Sequence, residues 1–416
     1  MCDTIEINSQ FTKIEQVNPL ENSQPLFESF PKVVHDITYS EFFEKYLCQN
    51  QPCIFSSELT KDWNSVKDWS TPERNPNLDF IEKIVDTESL VPVSYCNTKY
   101  FNSQDCKEES FASYSEYWKS YTQSYPNAEP IKYLKDWHFH RDWKKKYLAY
   151  RTPRYFCSDW LNEWWENRDD SEQMNDYRFV YIGPKGSWTP FHSDVFGSYS
   201  WSANIVGKKK WVFFPPGEEH KLKDKLGNLV YDVESEEAKD LERLNGPVMR
   251  IEIIQNSGEV VFVPSGWHHQ VTSLEDTISI NHNWVNGCNI LSIYFLLRDE
   301  LRKVEKEILD CKGDGDNWSE MCQKLLGASY GMNYLDLLSL LNLILERRRK
   351  LLEEASEIKF DDYCLSVEHS KFDVCRIKVV LEHLMEDIAQ IGMNHHVGTC
   401  EKLIEKCKQY LSEING

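Results

Sequence analysis

At 416 residues, 41% hydrophobic and 27% charged, the chain is long enough for a large domain plus a smaller one around a substantial core, and too apolar to be disordered. A formal net charge of −20 repels nucleic acid and anionic membrane at long range, so neither is expected as a direct partner. The opening MCDTIEINSQFTKIEQ has no basic or apolar signal region, no later run reaches the ~18 apolar residues of a membrane helix, and the thirteen cysteines contain no CxxC pair; together these suit free thiols in the cytoplasm, with the nucleus as the alternative.

Residues 1–30 are polar and lack sustained periodicity, as in a tail or an arm lying on the body. From 36 to 150, short helical patterns such as YSEFFEKYL (39–47) mix with apolar runs such as PCIF (52–55) and LVPVSY (90–95), an α/β flank to a sheet. The centre then turns β-branched and aromatic: YRFVYIG (177–183), SYSWSANIV (198–206), KKWVFFP (209–215), VMRIEIIQ (248–255), EVVFVP (259–264) and TISINHNWV (277–285). PKG, PPG, NSG and PSG turns separate several of these runs, and short strands at close spacing imply a barrel or sandwich. After about 290 the period becomes helical, with Leu291, Ile293, Leu297, Leu301, Val304 and Ile308 three or four apart in most steps. Asn333 followed by Asp336 reads as a helix cap before LLSLLNLILERRRKLLEE, and RRRK (347–350) is expected on a solvated helix face. His395, His396, Cys400 and Cys407 fit no standard metal module and are expected on helix faces. The division that follows is an arm at 1–30, a catalytic domain at 31–290 and a helical domain at 291–416.

In WTPFHSDVF, His192 and Asp194 stand two apart where a strand repeats every two residues, so an imidazole and a carboxylate leave one face together. VPSGWHHQV offers a third ligand after its turn, with either His268 or His269 pointing inward; alternation with Val261, Val263 and Val271 favours the odd-numbered set. Two histidines and a carboxylate on one face of an octahedron leave three positions open, the arrangement used by non-haem Fe(II) oxygenases. A lone His-x-Asp is equally an ordinary hydrogen bond on a sheet, so the neighbouring motifs decide.

Taken in order, TPFHSD, GKKKWVFFPP, FVPSGWHHQV and TISINHNW resemble the JmjC-type 2-oxoglutarate oxygenases over about 35–290, and IKYLKDWHF and PRYFCSDWL resemble the segments that precede the core of their small hydroxylase branch. The resemblance implies an α+β fold: a double-stranded β-helix (jelly-roll, cupin-like) with flanking N-terminal helices and a C-terminal helical domain. It implies Fe(II), 2-oxoglutarate and O2. The family's PxxWWH spacing selects His269, five after Pro264, to join His192 and Asp194. Its GxK step puts the cosubstrate's lysine at Lys209, with Lys208 and Lys210 outward; a buried dicarboxylate needs such a cation. Thr189 and Tyr133 match the hydroxyl partners of the same carboxylate, Asn281 matches a polar residue near the cosubstrate, and Ser202 stands where the family often has asparagine.

The implied reaction is oxidative decarboxylation of 2-oxoglutarate to succinate and CO2 coupled to hydroxylation. The motifs and helical C-terminus resemble the lysyl hydroxylase of a translation termination factor, which makes a lysine of that factor the expected substrate. An N-methyl-lysine demethylase would use the same site, and a non-catalytic cupin-like binding protein is the reading from a different class. The C-terminal helices are expected to serve packing or self-association into a homodimer.

Overall fold

The computed structural model describes residues 3–13, 24–100, 103–127, 129–167, 176–312, 318–353, 359–360 and 363–415. Strands β1 (Asp3–Ile5), β2 (Lys32–Val33), β3 (Cys53–Phe55), β4 (Leu90–Tyr100), β5 (Ser103–Ser110) and β6 (Lys132–Trp137) precede the central run. That run is β7 (Arg178–Gly183), β8 (Trp188–His192), β9 (Tyr199–Val206), β10 (Lys209–Phe214), β11 (Ile251–Gln255), β12 (Val260–Val263), β13 (His268–Ser273) and β14 (Thr277–Trp284). β15 (Lys359–Phe360) and β16 (Tyr363–Leu365) lie among the C-terminal helices.

A nine-stranded sheet has the order β2-β3-β12-β9-β14-β7-β6-β4-β5 and a four-stranded sheet the order β11-β10-β13-β8. From β8 onward the chain passes repeatedly between the two sheets, which is how a double-stranded β-helix closes around its interior. The β9–β10 connection shows why the sequence folds this way. Gly207 has φ +82°, and a Cβ there would lie 2.0 Å from the Asp276 carbonyl oxygen, so only glycine lets the chain reverse tightly enough to start β10 at Lys209.

The main apolar core lies between the large sheet and the N-terminal flank, and β1 anchors the arm by pairing with β16 while Ile5, Ile7 and Phe11 join that core. A second core holds the helices Ile290–Glu307, Trp318–Tyr330, Tyr334–Glu353, Val367–Gln390 and Asn394–Asn415. It also takes in Trp160, Leu161, Trp164, Phe196 and Val285 from the catalytic half, so the helices are packed onto the barrel. Asn333 caps its helix as read, its Oδ1 accepting from the backbone N–H groups of Leu335 and Asp336.

One expectation for these helices is corrected. Within RRRK, Arg348 is fully buried because it continues the stripe of Leu341, Ile344 and Leu345 at helical spacing. Its guanidinium donates to Asp373 at 2.7 Å and to Glu163 at 3.0 Å, tying two helices of the C-terminal unit to the Trp160–Glu166 helix. Cys400 and Cys407 are buried in the helical core, and the sole metal-type cluster among the described residues lies elsewhere. Among the described residues eleven cysteines carry thiols outside any disulfide, as expected, but Cys364 is disulfide-bonded. Among the described residues no helix is long and apolar enough to cross a membrane.

Candidate metal and cosubstrate site

Antiparallel pairing of β8 with β13 sets His192 directly opposite His269, with ring centroids 4.4 Å apart. Asp194 follows two residues later, where β8 gives way to the Val195–Gly197 turn. One ligand atom from each of the three lies within 4.8 Å of the others. His192 Nδ1 is 2.8 Å from the Pro190 carbonyl oxygen and His269 Nδ1 is 3.0 Å from that of Trp267. A carbonyl only accepts, so each Nδ1 carries the proton and each Nε2 keeps its lone pair for the centre. Burial, then the neighbouring His269, hold His192 well below the usual histidine range, which keeps the imidazole neutral and able to ligate. Asp194 accepts a 2.7 Å hydrogen bond at Oδ2 from Ser200 Oγ, which fixes the direction of the carboxylate and leaves lone pairs for a metal.

His268, the other candidate from the sequence, points away. Its ring packs on Phe191 at 5.4 Å and its Nδ1 lies 3.9 Å from a Glu219 carboxylate oxygen. The odd-numbered set of β13 faces inward, as the alternation predicts.

The three ligands open onto a cavity of about 300 Å³ between the sheets, which Lys209, Thr189, Tyr133 and Asn281 also line. Lys209 is 2% exposed; its Nζ donates to Ser279 Oγ at 2.7 Å and to the Tyr133 hydroxyl at 3.4 Å. Among the described residues no carboxylate lies within ion-pair distance of it, and burial alone pushes its pKa down to about 7. A buried ammonium in that position calls for a counter-ion, and one carboxylate of a dicarboxylic acid would supply it. Tyr133 accepts from Lys209, so its own O–H proton is free for the same carboxylate. Lys208 and Lys210 face outward as expected, paired with Glu275 and with Glu234 and Glu252.

Ser202 lies one shell back from where its sequence position suggests. It is outside the cavity wall and donates to Asn281 Oδ1 at 3.1 Å, so it orients the asparagine. Sequence reading missed Ser279 and Ser200, although both could have been found by stepping two residues along the same strand face from Asn281 and Ser202. It expected Trp and Tyr residues before 190 to line a substrate groove without naming any; Tyr177, Phe179 and Tyr181 line the cavity at alternate positions leading into and along β7. Lys135 and Asp136 also line the wall.

The turn bearing Asp194 is backed by the helical unit. Phe196 has φ +58° and Gly197 φ +66°, and a Cβ on Gly197 would come within 2.3 Å of Leu296 Cδ1. The Phe196 ring meets Tyr330 edge-on at 5.6 Å and Tyr177 at the same distance.

Two histidine nitrogens and one carboxylate oxygen on one side of an open cavity suit a ferrous ion with free coordination positions. A cupin-like domain model matches residues 39–289. The chain is 43% identical over 389 residues, 90% of each chain, to a Gallus gallus protein named 2-oxoglutarate and iron-dependent oxygenase JMJD4. It is 42% identical to the Homo sapiens protein of that name, over 84% of this chain and 82% of the other. An Arabidopsis thaliana protein named arginine-specific demethylase JMJ20 is 42% identical over 72% of this chain and 66% of its own. Similarity of this extent, over a double-stranded β-helix that gathers His192, Asp194 and His269 above a buried lysine, places the chain in the cupin-like JmjC family, within its JMJD4 group of 2-oxoglutarate and iron-dependent oxygenases.

Proposed function

We propose that the protein is an Fe(II)- and 2-oxoglutarate-dependent protein hydroxylase that acts in the cytoplasm on a lysine side chain of a translation termination factor. The observation that carries the oxygenase reading is the pairing of an open His-Asp-His set with Lys209, a buried cation outside any ion pair among the described residues, in one cavity. His192, Asp194 and His269 would hold the iron, and Lys209 with Tyr133, Thr189 and Ser279 would hold the distal carboxylate of 2-oxoglutarate. When bound, that pair supplies the oxidising chemistry: O2 is consumed, the keto acid leaves as succinate and CO2, and one oxygen atom enters a substrate C–H bond. The chain's own contribution is fixed ligands, a neutral His192, an oriented Asn281 and aromatic walls that exclude water.

The lysyl step is supported by the resemblance to the hydroxylase branch and by aromatic surfaces suited to a cationic side chain. A second reading, N-methyl demethylation, draws support from the relative named as an arginine-specific demethylase. Mass spectrometry of lysine and methylated lysine or arginine peptides after reaction separates the two: gain of one oxygen supports hydroxylation, and loss of a methylene unit supports demethylation. The termination factor gaining oxygen with wild type but not with His192→Ala is the expected result. If no substrate changes mass and no succinate forms, the non-catalytic reading stands.

For the C-terminal helices we propose a packing role, since their apolar stripes are shared with Trp160, Trp164 and Phe196. Sedimentation of the full chain tests this against self-association, a dimer mass favouring the latter.

A further inference from the structure

Strand β6 carries an irregularity where it meets β7. Leu134 pairs with Ile182 and Trp137 with Val180, so Lys135 and Asp136 together oppose the single residue Tyr181. This is a β-bulge, a device that re-aims a side chain. Regular alternation along β6 would turn Asp136 to the core side, where Leu134 and Trp137 are buried. The extra residue turns it into the cavity instead, beside Lys135. The bulge is made by Asp136 itself, which sits at φ +62°, a left-handed conformation unfavourable for most side chains and tolerated best by glycine, asparagine and aspartate. A strained backbone that delivers one carboxylate to a site wall is a feature to be explained by what the carboxylate meets.

Asp136 has three surroundings. Its Oδ1 accepts a 2.7 Å hydrogen bond from the Tyr181 hydroxyl, which fixes its direction. Its Oδ2 lies 3.9 Å from Lys135 Nζ, at the outer limit of an ion pair. The remainder of the side chain is open, with 51% exposure, in contrast to Lys209 at the closed part of the same cavity. Next to it run Tyr177, Phe179 and Tyr181, with Phe179 and Tyr181 stacked at 6.4 Å. Apart from the ligand Asp194, Asp136 is the one acidic residue in the cavity wall among the described residues. Aromatic faces beside one oriented, solvent-facing carboxylate make a slot for a cation.

We propose that Asp136 determines substrate class by pairing with a cationic side chain, an ammonium or a guanidinium, that enters along Tyr177, Phe179 and Tyr181. This rests on the cavity being the oxygenase site described above and deepens that reading. Lys135 is the internal competitor: it occupies Asp136 loosely until a substrate cation displaces it.

Three proteins and four probes test the proposal. Fluorescence anisotropy is read with labelled glycine-serine peptides holding a single lysine, arginine, norleucine or citrulline, on the wild type, Asp136→Asn and Lys135→Met. Asparagine is as comfortable as aspartate at positive φ, so Asp136→Asn keeps the bulge and removes only the charge. Wild type is expected to prefer the charged peptide over its neutral counterpart by about two- to fivefold, the scale of one partly exposed ion pair. Asp136→Asn is expected to reduce that ratio to about one, and Lys135→Met to enlarge it. A wild type without charge preference, or an Asp136→Asn protein that keeps it, overturns the proposal. The measurement does not use turnover, so failure of the oxygenase reading is seen separately, as absence of 2-oxoglutarate-dependent succinate release by the wild type.

Discussion

Replacing Lys209 with methionine is expected to make the ligand-free protein more stable and 2-oxoglutarate binding undetectable. Burial holds Lys209 at about 7 against an ordinary 10.5, which at ~1.4 kcal/mol for each pH unit sets a ceiling of roughly 5 kcal/mol on the penalty it imposes near neutral pH. Methionine has a similar shape and no charge, but leaves the Ser279 and Tyr133 hydroxyls without the partner they have now, at about 1 kcal/mol each. The net gain is therefore about 2–3 kcal/mol. The sign with pH also follows. Above pH ~7 the folded lysine loses its proton while the unfolded one keeps it to about 10.5, so the unfolded chain binds more protons and wild-type stability climbs across that window. The methionine variant should lack that climb. Urea unfolding at neutral and alkaline pH, with and without 2-oxoglutarate and Mn(II) as a redox-silent metal, reads all three effects. At one hundred times Kd the cosubstrate should stabilise wild type by about 2.7 kcal/mol and the variant not at all. A Lys209→Met protein that is less stable than wild type, or that still responds to 2-oxoglutarate, refutes the assignment of Lys209 as an unpaired anchor.

Ser200→Ala removes the hydroxyl that holds Asp194 Oδ2 and should weaken Mn(II) binding about tenfold in calorimetric titration with the fold intact. Arg348→Met removes the buried guanidinium shared by Glu163 and Asp373, leaving Glu163 to Arg347 and Asp373 to His369, and should cost about 3 kcal/mol in urea unfolding; adding Glu163→Gln and Asp373→Asn should recover part of it. Gly197→Ala forces a side chain into φ +66° against Leu296; a loss of about 1–3 kcal/mol is expected, together with weaker metal binding, since Asp194 is three residues away. An unaltered metal affinity in that variant would show that the turn does not steer its ligand.

How much was legible in the sequence depended on whether a residue obeys the period of its element. His192 and Asp194 stand two apart near a strand end, so strand period put them on one face, but the neighbouring motifs had to settle their role, and Lys209 was singled out from Lys208 and Lys210 by the family's GxK step after Gly207. His269 was separable from His268 by alternation because β13 keeps an unbroken register against β10 there, even though its register against β8 shifts between His269 and Val271. Asp136 was invisible for the opposite reason: a bulge cancels the alternation, and no local signal marks a left-handed aspartate. Ser202 was placed one contact too close because a strand position gives a face but not a reach. Arg348 was misread because charge suggested solvent, whereas its helical phase put it on the apolar stripe; the distant Glu163 and Asp373, brought in by tertiary packing, make that position tolerable.

The edge-on contact of Phe196 with Tyr330 and the close fit of Gly197 under Leu296 give the far end of the polypeptide a stake in iron retention. Lesions there, more than a hundred positions downstream in the case of Tyr330, should first surface as a protein that folds yet loads metal poorly. A screen scoring abundance alone would pass such variants as harmless, and supplementation with excess ferrous salt would rescue them where it could not rescue His192→Ala.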